Sequence, residues 1–382
     1  MKMVLSYKIN RLRRKILYRL FSQHGKTDLE RLKKTMNRVL IIQLQYLGDS
    51  LIFTPVIRLL AERYPHIKID LLASPTSYMV YRNNPFIDKI YTINGWYYKK
   101  GGVDIFEVMN TIREVRANRK QYDCCILDAA QTAFIFSFIA FMTRIKDRLG
   151  FCIGGNSFLN TYQIYSEYCP DTNLLAYNCK LAELLGVENG GDYAGVDLHY
   201  TLEHQKRVNE LLGLELNSVK KIIGINPFTA KETTTWPIFR FRELIERIAH
   251  TFDVKIAVIG DKENQKYKDE FRFTEGGRVI DAIGLLELEE IAYLISKLDL
   301  FITLDTGPMH LCTQVRTKTI CLVGGGDAGL WTYDYPGYHI IRHKIEECSP
   351  CVSINCRNKK HFKKCMDLIT VEEVFEKVKE TL

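Results

Sequence analysis

Short apolar runs rich in β-branched residues alternate with helix-like stretches along most of this chain, in two successive series. The first series has its runs at 38–44, 67–73, 89–93 and 122–128, and the second at 221–226, 254–259, 278–280, 298–304 and 319–323. Strands that alternate with helices are typical of a parallel sheet covered by helices on both faces. The sequence therefore predicts an α/β protein with two doubly wound, Rossmann-like domains.

The length of the chain agrees with two domains, because 382 residues exceed what one hydrophobic core usually organises. The alternating pattern loosens between about 150 and 200. We expect a basic amphipathic helix and linker at 1–36, an N-terminal domain at 37–200 and a C-terminal domain at 201–382. Ligands of such sheets bind outside the carboxyl ends of the strands, so the expected site is a cleft between the domains.

The beginning of the chain is strongly basic. Residues 1–38 hold twelve Lys or Arg against Asp28 and Glu30, whereas the whole chain has a net charge of only +8. A helix with charges on one face and an apolar stripe on the other can lie on an anionic membrane surface. The alternatives are a helix docked on the body of the protein and a nucleic-acid arm, which is disfavoured because the body has no second basic tract. The apolar stripe consists of Leu5, Ile9, Leu12, Ile16 and Leu20.

No stretch of the sequence is long enough to cross a bilayer. The longest uncharged run, residues 129–143, has 15 residues where about 20 are needed, and it predicts a buried helix. The basic segment is not a secretory signal, because charges interrupt its apolar runs. Eleven cysteines without such a signal indicate a reducing cytoplasm.

The stretch after the run at 298–304 has the composition of an anion-binding turn. Glycine permits a sharp turn, proline suits the first helical position, and the N-terminus of a helix offers N–H groups to an anion. These features predict a diphosphate site with a histidine donor beside it. A strand-to-helix turn that is merely capped by Asp or Thr has the same pattern. The stretch is Asp305-Thr306-Gly307-Pro308-Met309-His310.

Asp49 lies where the first predicted strand gives way to a helix. A carboxylate at a helix N-terminus is held ionised, and at the edge of a cleft it can take a proton from an attacking hydroxyl group. The alternative is a carboxylate that only caps the helix. The local sequence leaves both interpretations open.

Three spaced motifs recur in the same order in one enzyme family. They are Leu47-Gly48-Asp49, Asn226-Pro227-Phe228 followed by Trp236-Pro237, and the turn at 305–310. From about residue 38 to its C-terminus the sequence resembles the family 9 glycosyltransferases, whose best-known members are the lipopolysaccharide heptosyltransferases. The resemblance implies a GT-B fold, with two Rossmann-like domains facing each other across a cleft. It also implies an acceptor on the N-terminal domain, a nucleotide-sugar donor on the C-terminal domain, inversion at the anomeric carbon, and no metal or other cofactor in the chemistry.

The resemblance also implies roles for individual residues. Asp49 is the expected general base for the acceptor hydroxyl group, and Glu263 is expected to bind the ribose, with Asp261 as its rival. The turn at 305–310 and Thr229 are expected to hold the diphosphate. Independently of the resemblance, the aromatic stretch at 331–335 is expected to line the sugar pocket. The predicted donor site comprises Thr229, Lys231, Glu263, Asp305, Thr306, Gly307, Pro308, Met309 and His310.

One position departs from the family pattern. Members usually carry a lysine two residues before the Trp-Pro pair, and this chain has Thr234 there. Lys231, three residues earlier, can substitute only if the loop folds back toward the donor. Otherwise it is a solvated loop lysine.

Four cysteines lie close together near the C-terminus, at separations of two, four and eight residues. Thiols in such a set can hold a structural zinc ion. The spacing lacks the paired repeat that is typical of zinc sites, so reduced or redox-paired thiols are the alternative. The four residues are Cys348, Cys351, Cys356 and Cys365.

Together these features predict a cytoplasmic enzyme that is peripheral on the inner face of a bacterial inner membrane. We expect an inverting, metal-independent glycosyltransferase that moves heptose from ADP-heptose onto a lipopolysaccharide core or another lipid-linked envelope glycan. Its expected partners are this donor, this acceptor and an anionic membrane surface contacted through residues 1–36, but not a nucleic acid. The alternatives are a GT-B transferase or epimerase that uses a UDP- or GDP-sugar, and a catalytically idle sugar-binding scaffold.

Overall fold

The structure is a computed structural model, and the chain divides into two compact units, Met1–Tyr193 and Ala194–Leu382. Each unit is built around its own six-stranded sheet. The structure describes residues 18–94, 96–97, 102–152, 156–165, 174–187, 195–213, 221–271, 278–325, 335–346, 348, 351, 356, 358, 360 and 362–382.

The sheet of the first unit is parallel throughout. Its strands are β1 (Arg38–Gln43), β2 (Lys68–Ala73), β3 (Ile87–Thr92), β6 (Cys124–Leu127), β7 (Asp147–Cys152) and β8 (Tyr162–Tyr165), and a small antiparallel pair is formed by β4 (Trp96–Tyr97) and β5 (Gly102–Val103). The strand order is β3-β2-β1-β6-β7-β8. The apolar β1 lies at the centre, where both of its faces are covered.

The helices of the first unit alternate with its strands. They are α1 (Leu29–Thr35), α2 (Leu47–Arg63), α3 (Pro75–Tyr81), α4 (Ile105–Ala117), α5 (Phe134–Met142) and α6 (Leu174–Leu184). Side chains fix several of their first turns, because Asp28, Ser74 and Asp104 accept backbone N–H groups at the starts of α1, α3 and α4. The long α2 is buried along most of its length.

The second unit repeats this design. Its strands are β9 (Lys221–Asn226), β10 (Val254–Gly260), β11 (Val279–Ile283), β12 (Leu300–Leu304), β13 (Thr319–Val323) and β14 (Tyr338–Arg342), in the order β11-β10-β9-β12-β13-β14. Its helices are α7 (Leu202–Leu212), α8 (Ile238–Thr251), α9 (Leu288–Ile295), α10 (Gly307–Leu311), α11 (Lys364–Asp367) and α12 (Val371–Thr381). Trp236 is fully buried, packs edge-to-face on Phe241 and donates its indole N–H to the carbonyl oxygen of Ile369 at 3.0 Å.

The prediction of two doubly wound parallel sheets is confirmed, but the sequence pattern does not predict β7, β8 or β14. β7 begins with Asp147 and Arg148, which are buried because they are paired: Asp147 accepts from Arg31 at 2.6 Å, and Arg148 donates to the carbonyl oxygen of Ile145 at 2.6 Å. A strand with buried charges has no apolar run to recognise. The stretch that follows β10 forms a 3₁₀ segment, Lys262–Phe271.

The run at 129–143 does form a helix, but the prediction that it is buried is wrong. One face of α5 packs into the core through Phe136, Ile139 and Ala140. The other face is open to solvent, with exposed fractions of 39–44%. This face consists of Phe134, Ile135, Phe138 and Phe141.

The predicted leader helix is described only at its end. Residues 18–21 are helical, and Leu20 and Phe21 are exposed, whereas the rest of that helix lies outside the described residues. Of the predicted aromatic pocket lining, residues 331–334 lie outside the described residues as well. Tyr335 does not line a pocket, since it is buried and its hydroxyl group donates to the carbonyl oxygen of Thr317. No helix in the described part of the chain is long and apolar enough to cross a membrane.

Candidate functional site

In each sheet the strand order changes direction at one point, and polar side chains collect there. In the first unit this point lies between β1 and β6, which pair with Ile42 opposite Leu127. Asp49 follows β1 and Asp128 follows β6. The carboxyl ends of the two strands flanking such a switch point form the usual ligand site of a doubly wound sheet.

Asp49 is the third residue of α2. Its Oδ2 accepts the backbone N–H of Tyr46 at 3.3 Å, so this carboxylate does cap the helix. Asp49 is half-buried. The pKa of the buried Tyr81 is raised by burial and then by the charges of Asp128 and Asp49. The Tyr81 hydroxyl group donates to the carbonyl oxygen of Ser50 at 2.6 Å, which ties α3 to the start of α2.

Asp128 is the partner of Asp49 that sequence reasoning missed. Burial, and then the charge of Asp49, raise the pKa of Asp128 to about 7 against the opposing effect of hydrogen bonds from Gln43 and from the backbone of Ala130 and Gln131. At neutral pH this carboxyl group is therefore close to half protonated. Two carboxyl groups with different environments, one accessible and one buried, are a common arrangement in acid–base chemistry.

The switch point of the second sheet lies between β9 and β12. Asn226, the last residue of β9, donates from Nδ2 to the hydroxyl group of Thr306 at 3.1 Å, which joins the two strand ends. Thr306 is the N-cap residue of α10, but its side chain does not cap the helix. α10 has only five residues, so the field of its N-terminus is weaker than that of a full helix.

Two cationic side chains, Lys231 and Arg342, act electrostatically on the turn that precedes this short helix. Burial, and to a smaller extent the charge of Lys231, lower the pKa of His310 to about 3, so this histidine is neutral at pH 7. Burial raises the pKa of Asp305, and the charges of Lys231 and Arg342 oppose the rise. Lys231 thus acts electrostatically on both ends of the 305–310 turn, as expected if its loop folds back. Arg342, at the end of β14, is a second cation of this site that the sequence did not reveal.

The hydroxyl group of Thr229 shapes this loop. It lies 2.9 Å from the hydroxyl group of Thr234 and accepts the backbone N–H of Lys231 at 3.1 Å. Thr234 is buried and also bonds to the carbonyl oxygen of Lys231 at 3.1 Å. Thr234, which stands where the family pattern has a lysine, therefore stabilises the turn that carries Lys231.

Glu263 stands at the same carboxyl edge, but farther along it. It is exposed in the 3₁₀ segment that follows β10, which is separated from β12 by β9. The structure therefore places Glu263 at this edge beside β10 and the 305–310 turn beside β12, two strands away. Asp261 exchanges hydrogen bonds with Asn264 at 3.0 Å and closes the turn that presents Glu263.

Two doubly wound parallel sheets, each with polar side chains at its switch point, are the architecture of the GT-B fold. The model of the family described as glycosyltransferase family 9 (heptosyltransferase) matches residues 109–362, and the chain belongs to this family. It is a glycosyltransferase, and the resemblance inferred from the three motifs is confirmed.

Similar proteins agree with this assignment. Lipopolysaccharide heptosyltransferase 3 of Escherichia coli K12 is 25% identical over 295 residues, which cover 75% of this chain and 83% of that protein. Lipooligosaccharide heptosyltransferase 2 of Campylobacter jejuni (strain NCTC 11168) is 22% identical over 344 residues, 88% of this chain and 96% of that protein. The structure of E. coli ADP-heptose lps heptosyltransferase II has a TM-score of 0.69 at 17% identity, and covers 90% of this chain and 98% of that one. The structure of E. coli heptosyltransferase WaaC with ADP has a TM-score of 0.60 at 16% identity, covering 90% and 100%.

Proposed function

We propose that this protein is an inverting heptosyltransferase that transfers the sugar of ADP-heptose to the core of a lipopolysaccharide. The observation that carries the proposal is the half-buried turn at 305–310, where the charges of Lys231 and Arg342 act on Asp305 and the buried His310 is neutral. Two cations beside hydrogen-bond donors suit a diphosphate leaving group. The names of the relatives support heptose as the sugar and lipopolysaccharide as the acceptor.

The reaction needs one proton acceptor and one stabilised leaving group. The acceptor hydroxyl oxygen attacks the anomeric carbon from the face opposite the diphosphate, and the carboxylate of Asp49 takes its proton. The bond between the anomeric carbon and the diphosphate oxygen breaks, and its electron pair leaves with ADP. Attack from the opposite face inverts the configuration at this carbon.

The leaving group is stabilised by side chains in this mechanism. Lys231 and Arg342 supply positive charge, and neutral His310 donates a hydrogen bond to a phosphate oxygen. These groups do the work that a divalent cation does in other transferases, so we propose that catalysis is metal-independent. Turnover that is unchanged by added Mg²⁺ or Mn²⁺ supports this, and strict dependence on either ion overturns it.

Calorimetric titration of the full chain with ADP, UDP and GDP tests the donor. We expect selective binding of ADP that is weakened in Thr306→Ala, because this hydroxyl group is held at the switch point by Asn226. Selective binding of UDP or GDP would keep the mechanism and replace the donor. Failure to bind any of the three would favour a catalytically idle scaffold.

We also propose that the enzyme works as a peripheral protein on the cytoplasmic face of the inner membrane. The exposed face of α5 is aromatic, and Phe134 stacks on Phe138 and on Phe158, with ring centroids 5.6 and 5.4 Å apart. The end of the basic leader lies beside this face, since Gln23 donates its backbone N–H to the carbonyl oxygen of Phe158 at 2.8 Å.

Positive charge borders the same face. Arg144 and Lys146 are exposed directly after α5. The pKa of Arg116 is lowered by desolvation and then by the charges of Arg144 and Arg119, so these three arginines belong to one basic region. Aromatic rings surrounded by cations are typical of surfaces that dip into anionic lipid. We name the exposed residues of α5 together with Leu20 and Phe21 the lipid face.

Binding to vesicles of phosphatidylglycerol and phosphatidylethanolamine tests the lipid face. The double variant Phe134→Ser and Phe138→Ser is expected to bind about tenfold or more weakly, because each buried aromatic ring contributes about 1.5–3 kcal/mol. Phe239→Ser is the matched control, since Phe239 is 65% exposed in the second unit. Deleting residues 1–21 should have a similar effect, whereas a deletion to 36 would also remove the buried Leu32. Equal binding by all variants overturns the lipid face.

A further inference from the structure

The four cysteines near the C-terminus line one small cavity in the second unit. Cys348, Cys351, Cys356 and Cys365 surround it together with Thr233, Gly325, Ile345 and Lys363, and its volume is about 20 Å³. A space of this size holds roughly one water-sized sphere. The four cysteines span 18 positions of sequence, and all of them line this one small cavity.

The backbone around this cavity is built to bring sulfur atoms together. A Cβ atom at Gly325 would lie 2.7 Å from the Cβ of Cys351 and 3.8 Å from the sulfur atoms of Cys351 and Cys365, so only glycine leaves them room. The backbone N–H of Cys351 donates to the carbonyl oxygen of Gly325. Lys363 has a left-handed backbone, with φ of 53°, that bends the chain between Cys356 and Cys365.

Hydrogen-bond donors already point at two of the sulfur atoms. The backbone N–H of Lys363 lies 3.4 Å from the Sγ of Cys356, and the Nδ2 of Asn358 lies 3.5 Å from the Sγ of Cys348. Donors of this kind also orient the ligands of a metal site.

We propose that these four cysteines bind one Zn²⁺ ion as a tetrahedral tetrathiolate. Zn²⁺ replaces the four thiol protons, which are released to solvent, and the site keeps a net charge of two minus next to the lysines of this segment. In the described structure the sulfur atoms of no three of these cysteines lie within 4.8 Å of one another. Because sulfur atoms around a tetrahedral zinc are about 3.8 Å apart, binding draws the segment tighter.

The ion would have a structural role next to the predicted donor loop, an effect that rests on the proposed function. Cys356 donates its backbone N–H to Glu232 at 3.2 Å, and Thr233 lines the cavity, so the cysteine segment supports the short 3₁₀ turn after Lys231. A Cβ atom at Gly324 would overlap the carbonyl oxygen of Thr233, which shows how closely β13 approaches this turn. Loss of zinc should therefore disturb Lys231 rather than the chemistry at Asp49.

Elemental analysis of the full chain, purified without chelator, tests the site directly. We expect one zinc per chain, lost in Cys351→Ala and in Cys365→Ala and kept in Cys179→Ala, a buried cysteine of the first unit. Titration of the metal-free protein with Co²⁺ should give the visible spectrum of a tetrahedral thiolate complex at one equivalent. Protein that holds no metal and binds no Co²⁺ overturns the proposal, and iron in place of zinc overturns the choice of ion.

A donor titration separates this proposal from the proposed function. If both are correct, Cys351→Ala loses zinc and binds ADP more weakly, while Cys179→Ala does neither. Zinc content that follows the variants in a protein without affinity for ADP would keep the metal site and remove the donor assignment. Normal ADP binding in zinc-free Cys351→Ala would remove the link to Lys231.

Discussion

Asp49 is a helix-capping carboxylate like several others in this chain, and its neighbour Asp128 distinguishes it. A cap such as Asp104 is exposed and accepts N–H groups from its own helix. Asp49 is half-buried and interacts with a second carboxyl group whose pKa lies near 7. A comparison of the variants that lack Asp49 and Asp104 should therefore separate the capping role of Asp49 from its proposed catalytic role.

We expect Asp49→Ala to lower kcat by about 10²–10⁴-fold, the usual contribution of a general base. The affinity for ADP should not change, because the proposed donor site lies in the other unit. Asp104→Ala is the matched control, since it should cost a similar cap energy of about 0.5–2 kcal/mol without affecting turnover. Steady-state kinetics and calorimetry measure both effects. Asp49→Ala with the turnover of the parent would remove Asp49 as the base.

Asp128 should control the pH dependence of the reaction. Above about pH 7 it becomes ionised, and its negative charge makes Asp49 a stronger base, so kcat/KM should rise through this pH. In Asp128→Asn the step near pH 7 should disappear. A pH–rate profile of both proteins between about pH 5 and 9 measures this. A step that persists unchanged in the variant would show that another group titrates there.

The residues that sequence reasoning found and those it missed differ in one respect. Asp49 and the turn at 305–310 lie in short contiguous motifs, so they can be recognised along the chain. Asp128 and Arg342 act on those motifs only because β6 and β14 take particular places in their sheets. Strand order is a property of the fold, and one sequence does not contain it in readable form.

Among the elements, the loop after β9 differs most from the family pattern. It carries Lys231 on a turn held by Thr229 and Thr234, whose hydroxyl groups bond to each other and to the backbone of that lysine. The sequence shows the missing lysine at 234, but it does not show that the loop folds back. That outcome depends on hydrogen bonds among threonines, which leave no periodic signal. The sequence does not predict strand β7 for a related reason. Its first residues are charged, and Asp147 is buried only because it pairs with Arg31.

We expect Lys231→Met to weaken ADP binding by about 10–100-fold, because a charge-assisted hydrogen bond contributes about 1.5–3 kcal/mol. Adding Thr234→Lys to this variant should restore part of the affinity by returning a cation to the position used in other members. Lys206→Met is the matched control, since Lys206 is exposed on α7 of the same unit. Calorimetry with ADP measures all three. Equal affinity in Lys231→Met and the parent would make Lys231 an ordinary loop lysine.

On the scale of the whole molecule, the two units follow one plan but bury titratable groups of opposite behaviour. The first unit buries Asp128, which prefers to hold a proton, with a pKa of about 7 against an ordinary value of 3.8. The second buries His310, which prefers to lose one, with a pKa of about 3 against 6.5. The stability contributed by Asp128 is therefore lost as the pH rises from about 4 to 7. That contributed by His310 is lost as the pH falls from about 6.5 to 3.

The stability contributions of Asp128 and His310 thus change with pH in opposite directions. One variant in each unit tests this prediction. In Asp128→Asn the melting temperature relative to the parent should rise with pH, because the variant avoids a buried charge worth at most about 4 kcal/mol. In His310→Gln the same difference should rise as the pH falls, because the variant avoids protonation of a buried imidazole. Calorimetric scans at about pH 5 and 7.5 should show shifts of several degrees, since about 1 kcal/mol moves the melting temperature of a unit this size by about 2–4 °C. Slopes of the same sign in both variants would mean that at least one of these groups is solvated in the folded protein. In that case the site in that unit would be more open than the structure shows, and its pKa could not set the protonation state used in the mechanism.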